Sequence, residues 1–218
     1  MTHRIAVFYH CIFTGTVRPI HAGFSMDLMA QQMQSLEDCG LASQADKIVV
    51  GVNGGEGDAD IARMLAPSKS EVIAHGEGSG TEITTLNVLR EWCKAHDGWY
   101  VLYFHTKGAS HPNHPNREWR LNMEQHVLHN WRMCVLDLDK GYDACGSYWL
   151  TPEEHKNVIK TPFFGGTFWW SKASYLANLP PLPPPEFENR YEAEGWIGSG
   201  PRRPRVMNYI QGWPPGTF

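Results

Sequence analysis

Hydrophobic positions in the first half of the chain fall into two kinds of run. Arg4 to Tyr9, Lys47 to Val52, Glu71 to Ala74 and Trp99 to Phe104 are short, β-rich stretches, and the second closes on Asn53-Gly54-Gly55. Between them Phe24, Leu28, Met29, Met33 and Leu36 recur at helical spacing before Gly40, and Asp58 to Leu65 predicts a shorter helix. Thr81 to His96 places Ile83, Leu86, Leu89, Trp92 and Cys93 on one face, with Ser79 and Glu82 at the spacing of a capping box. This alternation predicts an α/β fold with a parallel sheet and helices on both faces. Ligands of such sheets bind beyond the carboxyl ends of the strands, so the expected contact positions are Tyr9 and His10, Asn53 to Gly55, and His105 to Gly108.

The second half has another texture. After a Pro, His and Asn-rich loop from Ser110 to Asn116, a long helix is expected from about Arg117 to Val135, where Trp119, Met123, Val127, Trp131 and Val135 repeat every four residues. Gly141 to Trp149 predicts a strand. Pro162 to Trp170 is an aromatic run broken at Gly165-Gly166, and Lys172 to Asn178 predicts a helix. Pro180 to Pro185 lacks the amide donors of a helix or central strand and is expected to be an extended connector.

Composition narrows the class. The 218 residues are enough for one domain with a sizeable core. The longest uninterrupted apolar run, Trp99 to Phe104, is far below the ~20 residues of a membrane-spanning helix. Five widely spaced cysteines without a C-x-x-C pair predict free thiols, a reducing compartment and a cytoplasmic protein. A net charge of −4 gives no general attraction to nucleic acid. Ser199 to Phe218 is locally basic, however, through Arg202, Arg203 and Arg205 without an acidic residue. Nine Trp, nine Phe and eight Tyr are an unusual aromatic content; such residues build cores, and indole faces also stack on sugars and bases.

Three features could carry chemistry. His105-Thr106-Lys107-Gly108 ends a buried strand, where a glycine admits a phosphate to the backbone and an ammonium neutralises it. The tetrapeptide also fits an ordinary strand exit with a surface lysine. Asp137-Leu138-Asp139 has the form of a metal-binding pair, but its place in the helical period predicts a helix end. The histidines, among them His105, His111, His114, His126 and His129, lack the spacing of a zinc site.

The order of these elements, with Tyr103-Phe104-His105-Thr106-Lys107-Gly108, then Gly165-Gly166-Thr167-Phe168-Trp169-Trp170, then Glu192-Ala193-Glu194-Gly195-Trp196, resembles the GT-A glycosyltransferases, in particular small bacterial and phage glycosyltransferase-like proteins. The resemblance covers residues 3–198. It implies an α/β, GT-A-like domain over 1–198 with a Rossmann-like mixed, mainly parallel sheet and helices on both faces, a nucleotide-binding half at 1–108, an acceptor half at 109–198, and a basic C-terminal extension at 199–218. The implied activity is transfer of a sugar from a nucleotide sugar, a UDP-sugar foremost, to a hydroxyl acceptor such as an envelope glycan or a modified DNA base held by the C-terminal arginines. Tyr9, His10, Asn53, Thr106, Gly108 and Arg120 would bind the donor, with Arg117 as the alternative to Arg120. Gly165, Gly166, Trp169 and Trp170 would bind the acceptor, although strand alternation turns Trp169 away from Phe168 and Trp170 and so places at least one of the two tryptophans in the core. Lys107 and His105 would act on the diphosphate, and Glu194, in preference to Glu192, would be the base. Where the family carries a metal-binding Asp-x-Asp, this chain has His105-Thr106-Lys107, so no metal ligand and no metal requirement are expected. A non-catalytic carbohydrate or nucleotide-binding module and a histidine-based metal-dependent hydrolase remain open as alternatives.

Overall fold

The computed structural model describes residues 3–13, 22–76, 81–109, 113–154, 160–184 and 190–215. Seven strands form one sheet: β1 (Arg4–Ile12), β2 (Lys47–Asn53), β3 (Glu71–Ala74), β4 (Trp99–His105), β5 (Ala144–Gly146), β8 (Trp169–Lys172) and β9 (Val206–Asn208), in the order 3-2-1-4-8-5-9. Of these, β8 alone runs against the others. β6 (Trp149–Leu150) and β7 (Phe163–Phe164) pair separately. The expected mixed, mainly parallel sheet is therefore the observed one.

Strand alternation divides the core in two. Val7, Tyr9, Leu102, Phe104 and Trp170 face one side, where α1 (Ala22–Asp38), α5 (His114–Glu124) and α6 (Trp131–Asp139) cover them. Phe8, Val49, Val101, Tyr103 and Trp169 face the other, against α4 (Ile83–Lys94), α7 (Ala173–Leu176) and α8 (Arg190–Gly195). The remaining helices are α2 (Leu41–Gln44) and α3 (Glu56–Leu65).

Two expectations change here. The helix predicted over 117–135 runs from α5 into α6 through a wider π turn at Gln125–His129. Apolar residues every four positions drift by about 40° per step on a helix of 3.6 residues per turn, and the wide turn takes up part of that drift. It also frees carbonyls: Trp170 Nε1 donates to Val127 O at 2.7 Å, and Cys134 Sγ to His126 O at 3.4 Å.

The segment expected as a basic extension instead supplies β9, which pairs with β5 as an edge of the main sheet. Its arginines have local partners. Arg202 forms a bidentate pair with Asp143 at 2.7 Å, Arg203 pairs with Glu153, and Arg205 lies over the Tyr142 ring. The domain thus continues past residue 198.

Candidate active site

The period of two that builds the core also builds the site. On the face that carries Phe8, Val49, Val101 and Tyr103, the next residues of the same parity at the strand ends are His10, Gly51, Asn53 and His105. Strand register sets His10 beside both Gly51 and His105. His75, just past β3, joins them, its backbone amide donating to Val52 O at 2.8 Å. The amino end of α4 lies above this row and brings Glu82 and Thr85 down to it.

Gly51 is what makes room. A Cβ there would stand 2.0 Å from Thr85 Oγ1 and 2.6 Å from His75 Nε2. In the space left open, Thr85 Oγ1 meets His10 Nδ1 at 2.8 Å and His75 Nε2 at 2.9 Å. Asn53 Nδ2 donates to Thr81 O at 3.1 Å and lies 3.3 Å from His10 Nε2. Burial, with His105 and His75 nearby, holds the His10 imidazole well below its usual range, so the ring is neutral. Thr81 Oγ1 is buried with no hydrogen-bond partner among the described residues.

At the end of β4 the charged groups converge. Lys107 Nζ lies 3.8 Å from the centre of the Trp119 ring, a cation–π contact, and the indole Nε1 donates to Gly165 O at 3.2 Å. Burial lowers the lysine pKa, opposed by the carboxylates of Glu194 and Glu82. Glu194 also acts electrostatically on His105, whereas Glu192 is exposed on the same helix. His105 Nε2 meets Gly166 O at 3.0 Å, and its Nδ1 lies 3.1 Å from Glu82 Oε1, with the two side chains 14% and 17% exposed. Tyr103 OH donates to Glu82 Oε2 at 2.9 Å. Burial raises the Glu82 carboxyl to about 7.

The structure therefore brings together His10, Asn53, His105, Thr106, Lys107, Gly108 and Glu194 of the expected residues. Gly108 has φ 89, which favours glycine, and Thr106 Oγ1 accepts from Ile12 N at 3.4 Å. It separates others. Tyr9 is fully buried on the opposite face, one residue out of parity with His10, and its hydroxyl donates to Gln32 Oε1. Arg120 belongs to that same buried network, donating to Glu124, whose carboxylate also accepts from Gln32 Nε2. On α5 it is the preceding residue, Trp119, that faces Lys107, and Arg117, the alternative to Arg120, is exposed. Trp169 and Trp170 are core residues on opposite faces, so they form no acceptor platform. Gly165 and Gly166 do admit close neighbours, but these are Pro214 and, for Gly166 at φ 90, Met123 and Trp119.

Glu82, Thr85 and His75 were not expected at the site. His75 follows the same strand-end rule as His10. Glu82 and Thr85 reach the site only because α4 packs across β1 and β2, and in sequence Glu82 fits a cap with Ser79, which lies outside the described residues. Asp137 and Asp139 stand at the end of α6 as expected, accepting from Tyr209 OH and Tyr100 OH respectively. His111 lies outside the described residues. Among the described residues no three His, Cys, Asp or Glu side chains converge as metal ligands, and no helix is long and apolar enough to cross a membrane.

Fold and site together define a GT-A-like, Rossmann-type α/β domain with a polar cluster at the carboxyl edge of its parallel strands. The chain belongs to the family DUF8361, described as a domain of unknown function, whose pattern matches residues 8–196. No curated protein matches the chain. Among solved structures it is similar to HddC from Yersinia pseudotuberculosis, at 11% identity and a TM-score of 0.51, over 95% of this chain and 90% of that one. It is also similar to the bifunctional IspDF from Campylobacter jejuni, at 14% identity and a TM-score of 0.49, over 96% of this chain and 50% of that one, so the chain spans about half the length of IspDF. A third is glucosyl-3-phosphoglycerate synthase from Mycobacterium tuberculosis in complex with phosphoglyceric acid, at 12% identity and a TM-score of 0.46, over 96% and 70% of the two chains. At these identities the likeness is one of fold.

Proposed function

We propose that the protein is a glycosyltransferase that moves a sugar from a nucleotide-sugar donor, a UDP-sugar foremost, to a hydroxyl acceptor. The observation that carries this reading is the seating of Lys107 on the Trp119 ring at the carboxyl end of β4, beside the partly buried His105 and within electrostatic reach of Glu194. The Lys107 ammonium faces the diphosphate, with Thr106 and Gly108 shaping the loop around it, and stabilises the charge that develops as the bond from the anomeric carbon to the diphosphate oxygen breaks. Glu194 takes the proton of the acceptor hydroxyl as its oxygen bonds to that carbon. His10 and Asn53 form the floor on the nucleotide side. The acceptor is a glycan in preference to DNA, because Arg202, Arg203 and Arg205 already have partners within the chain.

A divalent cation does not fit this strand end. The donor set offers an ammonium and an imidazole with both nitrogens engaged, and Glu82 is held toward its neutral form. The lysine is the positive charge in the mechanism. The test is a thermal-shift screen of nucleotide sugars followed by a product assay with and without EDTA, on the wild type, Lys107→Ala and Glu194→Gln. The expected result is a donor-dependent shift, turnover indifferent to EDTA, and a Glu194→Gln protein that binds donor without turnover. Binding without turnover in the wild type would instead identify a binding module, and EDTA-sensitive hydrolysis a metalloenzyme.

A further inference from the structure

The carboxyl of Glu82 lies, largely buried, between two side chains of β4, and hydrogen-bond chemistry narrows the places its proton can occupy. Gly166 O can only accept, so His105 Nε2, 3.0 Å away, carries a proton. In the neutral ring Nδ1 then holds a lone pair, and Glu82 Oε1 stands 3.1 Å from it. An ionised carboxylate facing a lone pair is repulsive, and the contact becomes attractive once a proton lies between the two atoms. On its other side the carboxyl accepts from Tyr103 OH.

We propose that Glu82 is a positioning residue which, as a neutral acid, fixes the Nε2–H tautomer of His105 and through it holds the Gly165–Gly166 turn and Lys107 in place. The route is continuous. The turn includes Gly166 at φ 90 and Thr167 at φ 59, a conformation unfavourable for a β-branched residue, so it needs holding from outside. Gly165 O accepts from Trp119 Nε1, and the Trp119 ring carries the lysine.

The titratable groups facing Glu82 are Tyr103, His105 and Lys107; those acting on His105 are Lys107 and Glu194, with His10 beside it across β1. Burial raises Glu82 to about 7 and lowers His105 to about 3, which favours a neutral acid beside a neutral ring. When Glu82 ionises, its proton passes to solvent. The ring stays neutral but exchanges its Nε2 proton for one on Nδ1, facing the new carboxylate, and Gly166 O loses its donor. The bearing of this on catalysis rests on the sugar-transfer reading, whereas the tautomer does not.

The test is 15N NMR of histidine-labelled full chain, wild type and Glu82→Gln, from about pH 5.5 to about pH 8.5. In the wild type the His105 Nδ1 signal is expected at the unprotonated position at low pH, moving to the protonated position as pH rises through about 7. In Glu82→Gln the amide donates to Nδ1, and the Nε2–H tautomer persists across the range. An imidazolium at low pH in the wild type, a constant Nδ1–H tautomer, or a Glu82→Gln variant that switches with the wild type would overturn the proposal. Should the variant not fold, the wild-type titration still decides. None of these readouts involves turnover, so a failed transfer assay and a failed tautomer assignment remain distinct.

Discussion

Lys107 Nζ rests 3.8 Å from the centre of the Trp119 ring, and the same indole holds Gly165 O through its N–H. One side chain thus carries the lysine and ties down the turn beside it. Trp119→Phe keeps the ring and deletes the donor, and is expected to cost about 1 kcal/mol in urea unfolding. Trp119→Leu also removes the π face and is expected to cost about 2 kcal/mol. Lys107→Ala leaves the fold intact and lowers the transfer rate by about 10²–10³, the range for loss of one preorganised electrostatic group. Product formation under donor saturation checks this, and an unchanged rate would remove Lys107 from the mechanism.

Gly51→Ala is expected to disturb the His10, Thr85 and His75 contacts although it touches no charged group. The new methyl would overlap Thr85 Oγ1 and His75 Nε2, and moving β2 away from α4 is expected to cost about 1–3 kcal/mol. Donor affinity should fall with stability, because α4 carries Glu82. Full stability together with full donor binding would mean that the row is looser than its geometry.

How much of this was legible beforehand depends on the distance over which each feature is determined. The strands up to β4 and the helices α1, α3 and α4 follow from local periodicity, which the single turn of α2 is too short to show, and His10, Asn53 and His105 follow from the strand-end rule. Tyr9 was misassigned because the rule names a position along the strand, while parity decides the face. Glu82 and Thr85 depend on how α4 crosses β2 at Gly51, a tertiary fact without a local signal. β9 is three residues long and follows an Arg/Pro stretch, so its pairing with β5 has no pattern to announce it. In the aromatic segment alternation alone separates Trp169 from Trp170 and sends one of them to the core; that both are core follows only from the covering of both faces of the sheet.

Their burial distinguishes the two tryptophans by experiment. Trp170 Nε1 donates to the carbonyl of Val127 in the π turn, whereas Trp169 Nε1 is buried without a partner among the described residues. Trp170→Phe should cost about 1–2 kcal/mol, from the lost bond and the stranded carbonyl. Trp169→Phe should stay within about 1 kcal/mol, since it removes an N–H that had no acceptor. Trp170→Ala should cost about 3–5 kcal/mol. These effects appear in urea midpoints and leave the acceptor KM of any soluble variant unchanged. A raised KM without loss of stability would return the pair to an acceptor role.

Asp143 ties the C-terminal strand to the sheet, accepting from Arg202 and from the backbone amide of Arg205. Arg202→Ala is expected to cost about 1 kcal/mol, because the side chain is 62% exposed and its pairing is screened. A chain ending at residue 198 loses β9 and both partners of Asp143, and its thermal transition should broaden or disappear. A sharp transition at the wild-type temperature would show that the segment is an appendage.

The dependence of stability on pH should carry the mark of the Glu82–His105 contact. Folding raises Glu82 from its ordinary 4.5 to about 7, so its contribution is fully present below pH 4.5 and is lost as pH rises toward 7. Folding lowers His105 from 6.5 to about 3, so its contribution is present above pH 6.5 and is lost as pH falls toward 3. Between 4.5 and 6.5 the two slopes oppose each other: the unfolded chain holds the proton on His105 and the folded one on Glu82, and the pair takes up no net proton. Glu82→Gln deletes one slope and keeps the other. Relative to wild type, the variant should therefore gain about 3 kcal/mol between pH 4.5 and pH 7, at about 1.4 kcal/mol per unit over the shift. Urea unfolding of both proteins across this range measures the difference directly. Parallel stability curves would mean that Glu82 is ionised in the folded protein throughout and that no proton stands between it and His105.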